Sequence, residues 1–172
     1  MEQKPIKRIL AIDPFSRGVG FAVLEGPDEL IDWGLKTTGS ADNKKAVRRI
    51  KALIDRYQPD VLALENWEST GARRCRRVEI LLNLIATGTW KGLRVRLVSR
   101  LQLHSIGPLP HVSTKFGRAE LNPYLPPVRK PWMSEDDRMS IFDAVAFAVA
   151  CFPPKTMPQE PSTSVQPDET MK

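Results

Sequence analysis

The sequence predicts an α/β domain built on a mixed five-stranded sheet, in which an antiparallel meander is continued by parallel strands and flanked by helices. Three observations support this prediction. Three short β-type segments follow one another near the N-terminus, helical and apolar segments alternate after them, and 41% of the 172 residues are hydrophobic. That apolar content can form the core of one ordinary domain, and it excludes collagen-like, wholly disordered and disulfide-framework proteins.

The first three strands are predicted from short apolar runs separated by turn residues. Residues 9–13 read ILAID and residues 19–25 read VGFAVLE, with the turn-forming sequence PFSRG between them. Gly26 and Pro27 end the second run, and residues 30–38 form the third. Consecutive strands joined by such short turns pair antiparallel, so we expect a meander.

Helices and strands alternate in the next part of the chain. Apolar residues recur at helical spacing over residues 43–57, which predicts an amphipathic helix that begins in the SADN cluster at 40–43 and ends before Pro59. The apolar run VLAL at 61–64, followed by Glu65, predicts a strand buried on both faces. A second helix over residues 73–86 and a strand over 93–98 complete the predicted order β-β-β-α-β-α-β.

The remainder divides into an irregular segment, one helix and a tail. Six prolines between residues 101 and 132 leave room only for a short helix near 114–121. Ser134 is the predicted start of the last helix, with acidic residues 135–137 in its first turn, and Pro153 ends it. Residues 153–172 contain five prolines among polar residues, so we expect one domain over residues 1–152 and a disordered tail.

Positive charge is concentrated in one segment. The chain has 26 Lys and Arg against 20 Asp and Glu, a net charge of +6, yet residues 71–100 hold eight basic residues and one acid. Such a patch attracts polyanions, and phosphate neutralisation by Lys and Arg is the usual source of affinity for nucleic acids. A solvated helix face is the alternative.

Hydropathy and cysteine content indicate which cellular compartment and which structural cross-links to expect. No apolar run reaches the ~18 residues of a membrane helix, and the N-terminus has no signal-peptide core, so we expect a soluble cytoplasmic protein without a membrane partner. Cys75 and Cys151 are 76 positions apart, and His104 and His111 match no zinc-finger spacing to them. We therefore expect no disulfides and no structural zinc.

Three carboxylates stand where this order of elements would bring them together. Asp13 and Glu65 are the last residues of two apolar runs, and Asp143 lies in an otherwise apolar helix. Converging acids repel each other until cations neutralise them, so the set predicts a site for two Mg²⁺ or Mn²⁺ ions that drive water attack on a phosphodiester. Taken singly, the acids have simpler alternatives: a turn cap at Asp13, an arginine partner for Glu65 and a solvent-facing Asp143.

The segments that carry these acids resemble one family. ILAIDPFSRGVGFAV (9–23), QPDVLALE (58–65) and FDAVAFA (142–148) are similar, in order and separation, to three motifs of the RuvC-type Holliday junction resolvases. The resemblance covers residues 7–152 and implies a ribonuclease-H-like fold and a metal-dependent endonuclease that cleaves Holliday junctions or other branched DNA. Two positions depart from the family pattern: Phe15 replaces a glycine, and Ser140 replaces an acid three residues before Asp143. The second departure leaves the number of metal ions open.

The resemblance also implies roles for residues outside these motifs. Lys115 is the best match to a family lysine near the scissile phosphate, with a plain surface lysine as the alternative. Trp67 corresponds to a residue that wedges into an opened junction, with core packing or a dimer contact as the alternative. A homodimer is expected, since symmetric cutting of a four-way junction requires two sites.

Two further predictions concern charges beside the site. The arginines that precede the second helix are expected to contact phosphates; they are Arg73, Arg74, Arg76 and Arg77. Asp136 lies seven residues before Asp143, on nearly the same face of the predicted helix, and is expected to support the metal in place of the acid missing at Ser140. The alternative is that residues 135–137 only complement the helix dipole.

Two other functions fit parts of the pattern. A catalytically impaired nucleic-acid-binding module on the same fold would explain Ser140, although the presence of all three acids argues against it. An ATPase of the actin and sugar-kinase type shares the strand-Asp-turn-strand opening. That type needs two lobes and glycine-rich phosphate loops, which this sequence lacks.

Overall fold

The computed structural model describes residues 8–69, 75–90, 92–104, 121–126, 130, 132 and 136–153. The strands in this part of the chain are β1 (Ile9–Phe15), β2 (Gly18–Gly26), β3 (Glu29–Thr37), β4 (Val61–Glu65) and β5 (Arg94–Val98). The helices are α1 (Asn43–Tyr57), α2 (Arg76–Thr87), α3 (Arg100–His104) and α4 (Met139–Ala150), with a 3₁₀ turn at Asn122–Tyr124.

The strands form one mixed sheet in the order β3-β2-β1-β4-β5. β2 pairs antiparallel with both β1 and β3, whereas β4 pairs parallel with both β1 and β5. Short turns suffice for the antiparallel strands, and α1 and α2 are the crossover connections that parallel pairing requires. The predicted mixed five-stranded α/β fold is therefore confirmed.

Side chains alternate along the strands and fill two cores, one on each face of the sheet. Ile9 and Ala11 of β1 pack on the side of α4, and Leu10 and Ile12 pack on the side that α1 and α2 cover. β4 alternates in the same way, and nearly all of α4 is buried, as its almost continuous apolar sequence requires. Continuing the alternation places position 13 of β1 and position 65 of β4 on the α4 face.

Helix α1 has defined ends. The Asp42 carboxylate accepts hydrogen bonds from the backbone N–H groups of Lys45 and Lys44, at 3.2 and 2.9 Å, which caps the helix and lowers the pKa of Asp42. Gln58 follows the helix in the left-handed conformation, at φ 45°, and donates its backbone N–H to the carbonyl of Ile54. The predicted bounds, 43–57, are confirmed.

Other bounds lie close to their predictions where the structure describes them. α2 begins at Arg76 against a predicted residue 73, and β5 begins at Arg94 against residue 93. The segment predicted to be irregular begins with the short helix α3. Within it, the helix predicted near 114–121 lies outside the described residues except for position 121, and so does the tail beyond Pro153. No described helix is long and apolar enough to cross a membrane.

The start of the last helix differs from its prediction. α4 begins at Met139, so Asp136 and Asp137 precede the helix instead of forming its first turn. A helix that started at Ser134 would include Asp136 and Asp137, so the prediction is wrong for these two residues. The cause is local, because the Asp136 carboxylate accepts the backbone N–H of Arg138 at 2.9 Å, a short-range bond that competes with helical pairing.

Candidate active site

Asp13 lies in β1, on the face of the sheet that α4 covers. It stands opposite Gly20 of β2 in the antiparallel ladder and is 1% exposed. Pro14 and Phe15 continue the strand into the turn before β2. The apolar strand thus carries the carboxylate to one end of the sheet while keeping it out of bulk water.

Two further acids lie at the same end of the sheet. The parallel pairing of β1 with β4 runs as far as Ile12 and Leu64, so the next residues in register are Asp13 and Glu65. Asp143 lies one turn into α4, which packs across β1, β2 and β4. Glu65 and Asp143 are 0% and 4% exposed. Three elements therefore place three buried carboxyl groups at the same end of the sheet, and their role as metal ligands stays a prediction.

Asp13 and Asp143 line one cavity of about 190 Å³. Asp136, Asp137 and Ser140 add acidic and hydroxyl groups to its wall. The other described residues around it are Pro14, Phe15, Ser16, Cys75, Val78 and Met139. The described lining does not include Glu65, although that residue is equally buried. Four aspartates therefore line the cavity, and carboxylate oxygens are the ligands that Mg²⁺ and Ca²⁺ prefer.

Arg100, the first residue of α3, bridges two of the buried acids. Its Nε donates to Glu65 Oε1 at 2.7 Å, and its Nη2 lies 3.4 Å from Asp143 Oδ2. The Arg100 side chain is 31% exposed, so a partly solvated guanidinium offsets the cost of burying two carboxylates. The arginine partner considered for Glu65 is therefore present.

Arg100 is not among the predicted site residues, because it lies 35 and 43 positions from Glu65 and Asp143 in the chain. A usable signal exists once the strand order is known. β5 runs parallel to β4 and pairs Val98 with Glu65, so residues just after Val98 lie at the same edge of the sheet. A basic residue at that point is a candidate partner for an acid that ends the neighbouring strand.

The acidic cavity fits a divalent cation that prefers oxygen ligands. Mg²⁺ keeps several waters and is commonly held by one or two carboxylates together with substrate phosphates. Asp13 and Asp143 supply two carboxylates at one cavity. In the described part of the chain, no three His, Cys, Asp or Glu side chains are grouped closely enough to enclose a metal ion alone. The residues thus fit an open Mg²⁺ or Mn²⁺ site that water and substrate complete, rather than a closed structural site.

Ser140 lies buried where the family pattern has an acid. Its hydroxyl donates to the backbone carbonyl of Asp137 at 2.7 Å. A Cβ at Gly20 would stand 2.4 Å from Ser140 Oγ and 2.5 Å from the Ser140 carbonyl, so α4 and β2 touch almost backbone to backbone. This contact holds the first turn of α4 against the strand that pairs with Asp13.

Asp136 reaches the cavity wall from the loop before α4, so its predicted place on one face of the last helix is wrong. Its carboxylate accepts hydrogen bonds from Arg138, whose side chain and backbone hold the pKa of Asp136 below its usual value. Asp137 lies 3.8 Å from the guanidinium of Arg17. Arginines thus compensate both rim acids, and the metal-supporting role of Asp136 stays a prediction.

The structure describes two of the four arginines predicted to contact phosphates. These are Arg76 and Arg77; Arg73 and Arg74 lie outside the described residues. Arg76 is exposed at the start of α2. Arg77 donates through Nη1 to the carbonyls of Phe15 and Ser16, and its buried Nε and Nη2 make no hydrogen bond to any described residue. Arg77 therefore supports the turn beside the cavity, whereas Arg76 faces solvent.

Of the two residues to which the family resemblance gave a role, the structure describes Trp67 but not Lys115. Trp67 is half-buried and packs against the core on the side of α1 and α2, which corresponds to its core-packing alternative. A role as a junction wedge stays a prediction. Lys115 lies outside the described residues.

The sequence matches one curated relative over part of its length. It is 37% identical over 67 residues to the crossover junction endodeoxyribonuclease RuvC of Hydrogenovibrio crunogenus. That alignment covers 35% of this chain and 39% of the relative, so the match spans well under half of either protein. No protein-family model matches the sequence.

Solved structures match over much more of the chain. Thermus thermophilus RuvC in complex with a Holliday junction substrate has a TM-score of 0.56 and 19% identity, covering 83% of this chain and 90% of that one. A second Thermus thermophilus RuvC structure has a TM-score of 0.55, 20% identity and coverages of 83% and 92%. The yeast mitochondrial Holliday junction resolvase has a TM-score of 0.53, 12% identity and coverages of 85% and 79%. The resemblance to the RuvC-like Holliday junction resolvases is thereby confirmed, and the chain has their ribonuclease-H-like fold.

Proposed function

We propose that this chain is a metal-dependent, structure-selective DNA endonuclease that cleaves Holliday junctions or other branched DNA. The observation that carries the proposal is the pair of buried carboxylates, Asp13 and Asp143, on one acidic cavity. The likeness to a RuvC structure solved with a Holliday junction substrate supports the choice of DNA.

Five residues have roles in the proposed site. Asp13 and Asp143 hold Mg²⁺ or Mn²⁺, and Glu65 is the third carboxylate that a site for two ions needs. Bound divalent ions would supply Lewis acidity at the phosphoryl oxygens and a more acidic water for phosphodiester hydrolysis. Lys115 contacts the scissile phosphate, and Asp136 at the rim adds negative charge that favours cation binding.

DNA binding is assigned to groups outside the cavity. The basic segment provides phosphate contacts through Arg73, Arg74 and Arg76, while Arg77 keeps the turn after β1 in place. Trp67 packs against an opened junction. A homodimer presents two such sites to a four-way junction, because symmetric cutting requires two strands to be cleaved alike. The cellular role is DNA recombination or repair in the cytoplasm.

A second function is favoured by one observation. Arg100 contacts Glu65 and Asp143, two of the three buried acids. Ser140 replaces the acid that the family pattern has three residues before Asp143. Both features suit a DNA-binding module with impaired catalysis. This alternative predicts that the protein binds junctions tightly and cleaves none of them.

Cleavage mapping tests both functions. The full chain is incubated with labelled four-way junction, flap and linear duplex DNA, each in Mg²⁺ or EDTA. We expect symmetric cuts in the junction that require Mg²⁺. Asp13→Asn, Glu65→Gln and Asp143→Asn should each abolish cleavage and leave junction binding largely intact, because these acids hold the metal rather than the DNA.

The exposed α1 residue Asp55 provides a matched control, since Asp55→Asn makes the same chemical change away from the cavity. That variant should cut at the wild-type rate. Cutting by Asp13→Asn at the wild-type rate would overturn the assignment of the site. Binding of the junction without cleavage by the wild type would favour the DNA-binding module.

A further inference from the structure

We propose that Arg100 and a divalent cation compete for Glu65 and Asp143, so that full occupation of the metal centre requires the guanidinium to leave. This inference rests on the proposed function, because it assumes that the buried acids hold metal. It assigns Arg100 a task that the family motifs do not contain.

The contacts show that Arg100 already takes the place of a cation. A guanidinium N–H and a metal ion both approach the lone pairs of carboxylate oxygens. Glu65 Oε1 receives the Arg100 Nε at 2.7 Å, and Asp143 Oδ2 faces its Nη2 at 3.4 Å. An ion shared between these two carboxylates would bring like charge against the guanidinium, so the two occupants exclude each other.

Asp143 therefore has different neighbours on its two sides. Toward the cavity, Asp143 lies with Asp13, and an ion there need not touch Glu65. Toward β5, Asp143 lies with Glu65 and Arg100. An ion on the Asp13 side leaves the Arg100 contacts in place, whereas an ion between Asp143 and Glu65 must displace the guanidinium.

The position of Arg100 allows this exchange. It is the first residue of the five-residue helix α3, and its side chain is 31% exposed, so it can turn toward water without disturbing either core. Glu65 has no such freedom, because it is fully buried at the end of a central strand. Arg100 thus stabilises the acids when metal is absent and yields when metal binds.

Mn²⁺ titration of the full chain tests the competition by calorimetry, electron paramagnetic resonance and thermal melting. The variants are Arg100→Gln, Arg100→Lys and the control Arg94→Gln. Arg94 is exposed and lies opposite Val61, at the other end of β5 from the site. Arg94→Gln therefore removes the same charge as Arg100→Gln without touching the buried acids.

Arg100→Gln should raise one Mn²⁺ affinity by about tenfold, equivalent to about 1.4 kcal/mol. Its melting temperature should fall below wild type in EDTA and rise further than wild type when Mn²⁺ is added. Arg100→Lys should give intermediate affinities, and it serves if the glutamine variant does not fold. Arg94→Gln should behave as wild type. If the wild type binds one Mn²⁺ and Arg100→Gln binds two, Arg100 excludes the second ion completely in the wild type. That result would also support the proposal.

Equal Mn²⁺ affinities and stoichiometries in wild type and the Arg100 variants, together with intact junction cleavage by the wild type, would overturn this inference alone. Absence of Mn²⁺ binding in all four proteins would overturn both this inference and the metal-dependent function.

Discussion

The Asp136 carboxylate accepts three hydrogen bonds from Arg138, two residues further along the chain. They come from the backbone N–H at 2.9 Å, from Nε at 3.0 Å and from Nη2 at 2.6 Å. The side-chain bonds contribute most to lowering the pKa of Asp136, so the group is ionised at neutral pH and loses its charge only in acid. An ionised carboxylate, paired with the Arg138 guanidinium, therefore stands at the rim of the cavity that Asp13 and Asp143 line.

Replacing this rim charge should weaken metal binding without abolishing it. We expect Asp136→Asn to raise the Mg²⁺ concentration for half-maximal cleavage about threefold, an effect of about 0.6 kcal/mol that suits a solvent-screened charge. Mg²⁺ titration of the cleavage rate measures the change, with Asp55→Asn as the matched control. An unaltered titration with a small loss of stability would remove Asp136 from the metal site.

Adding an acid at position 140 should strengthen metal binding. Ser140→Asp places a carboxylate on the cavity wall beside Asp143, so we expect the Mn²⁺ affinity to rise about tenfold by calorimetry. In EDTA the same variant should melt at a lower temperature, since like charges then face each other and the larger side chain is crowded against Gly20. Ser140→Asn has the same size without the charge and should not raise the affinity. Equal affinities in both variants would place position 140 outside the metal centre.

Arg76 and Arg77, the two described arginines of the four predicted to contact phosphates, should behave differently in salt titrations. Arg76→Gln should reduce the slope of log K against log salt for duplex arms by ~0.9, the loss of one phosphate contact. Arg77→Gln should instead reduce thermal stability and cleavage, because it releases the carbonyls of Phe15 and Ser16. Arg94→Gln is the control for both. An unchanged slope in Arg76→Gln would identify this part of the segment as a solvated helix face.

The two free cysteines should differ in reactivity. Burial raises the pKa of the Cys151 thiol to about 11, although the nearby Arg96 lowers it, whereas Cys75 is exposed. Because only the thiolate reacts, about one Cys151 in a thousand is reactive at pH 8. A thiol reagent at that pH should modify one cysteine in the native protein and two after denaturation. Rapid modification of both in the native protein would contradict the buried position of Cys151.

Removing the tail should leave the domain intact. Truncation after Phe152 is expected to change the melting temperature by less than about 2 °C and to preserve junction cleavage, because residues 153–172 have too little apolar content to join the core. Thermal melting and the junction assay measure both effects. A large drop in melting temperature would show that the tail packs on the domain.

Local patterns were sufficient to predict most elements of this fold. The short continuous apolar runs before Asp13 and Glu65 predict β1 and β4, and the helical spacing over 43–57 predicts α1 to the residue. Once β1 and β4 are taken as parallel neighbours, the two acids must share one edge. Each of these inferences depends on residues close together in the chain.

The features that could not be predicted depend on contacts between distant or competing groups. Arg100 reaches Glu65 and Asp143 only because β5 is placed beside β4, which periodicity does not reveal. The start of α4 depends on whether the Asp136 side chain or a helical turn takes the N–H of Arg138. Capping and dipole preferences favour the helical turn, and the side-chain bond prevails.

The contact between Gly20 and Ser140 has a consequence for any attempt to transplant this site. The spacing of Asp13 and Asp143 depends on how closely a helix can approach a strand, and here the limit is the missing methyl group of Gly20, opposite Asp13. A single added carbon would force α4 outward and separate the two carboxylates, although neither would have been altered. A designer grafting these acids onto another α/β scaffold would have to carry the glycine with them, as an unreactive part of the geometry that brings the two acids together.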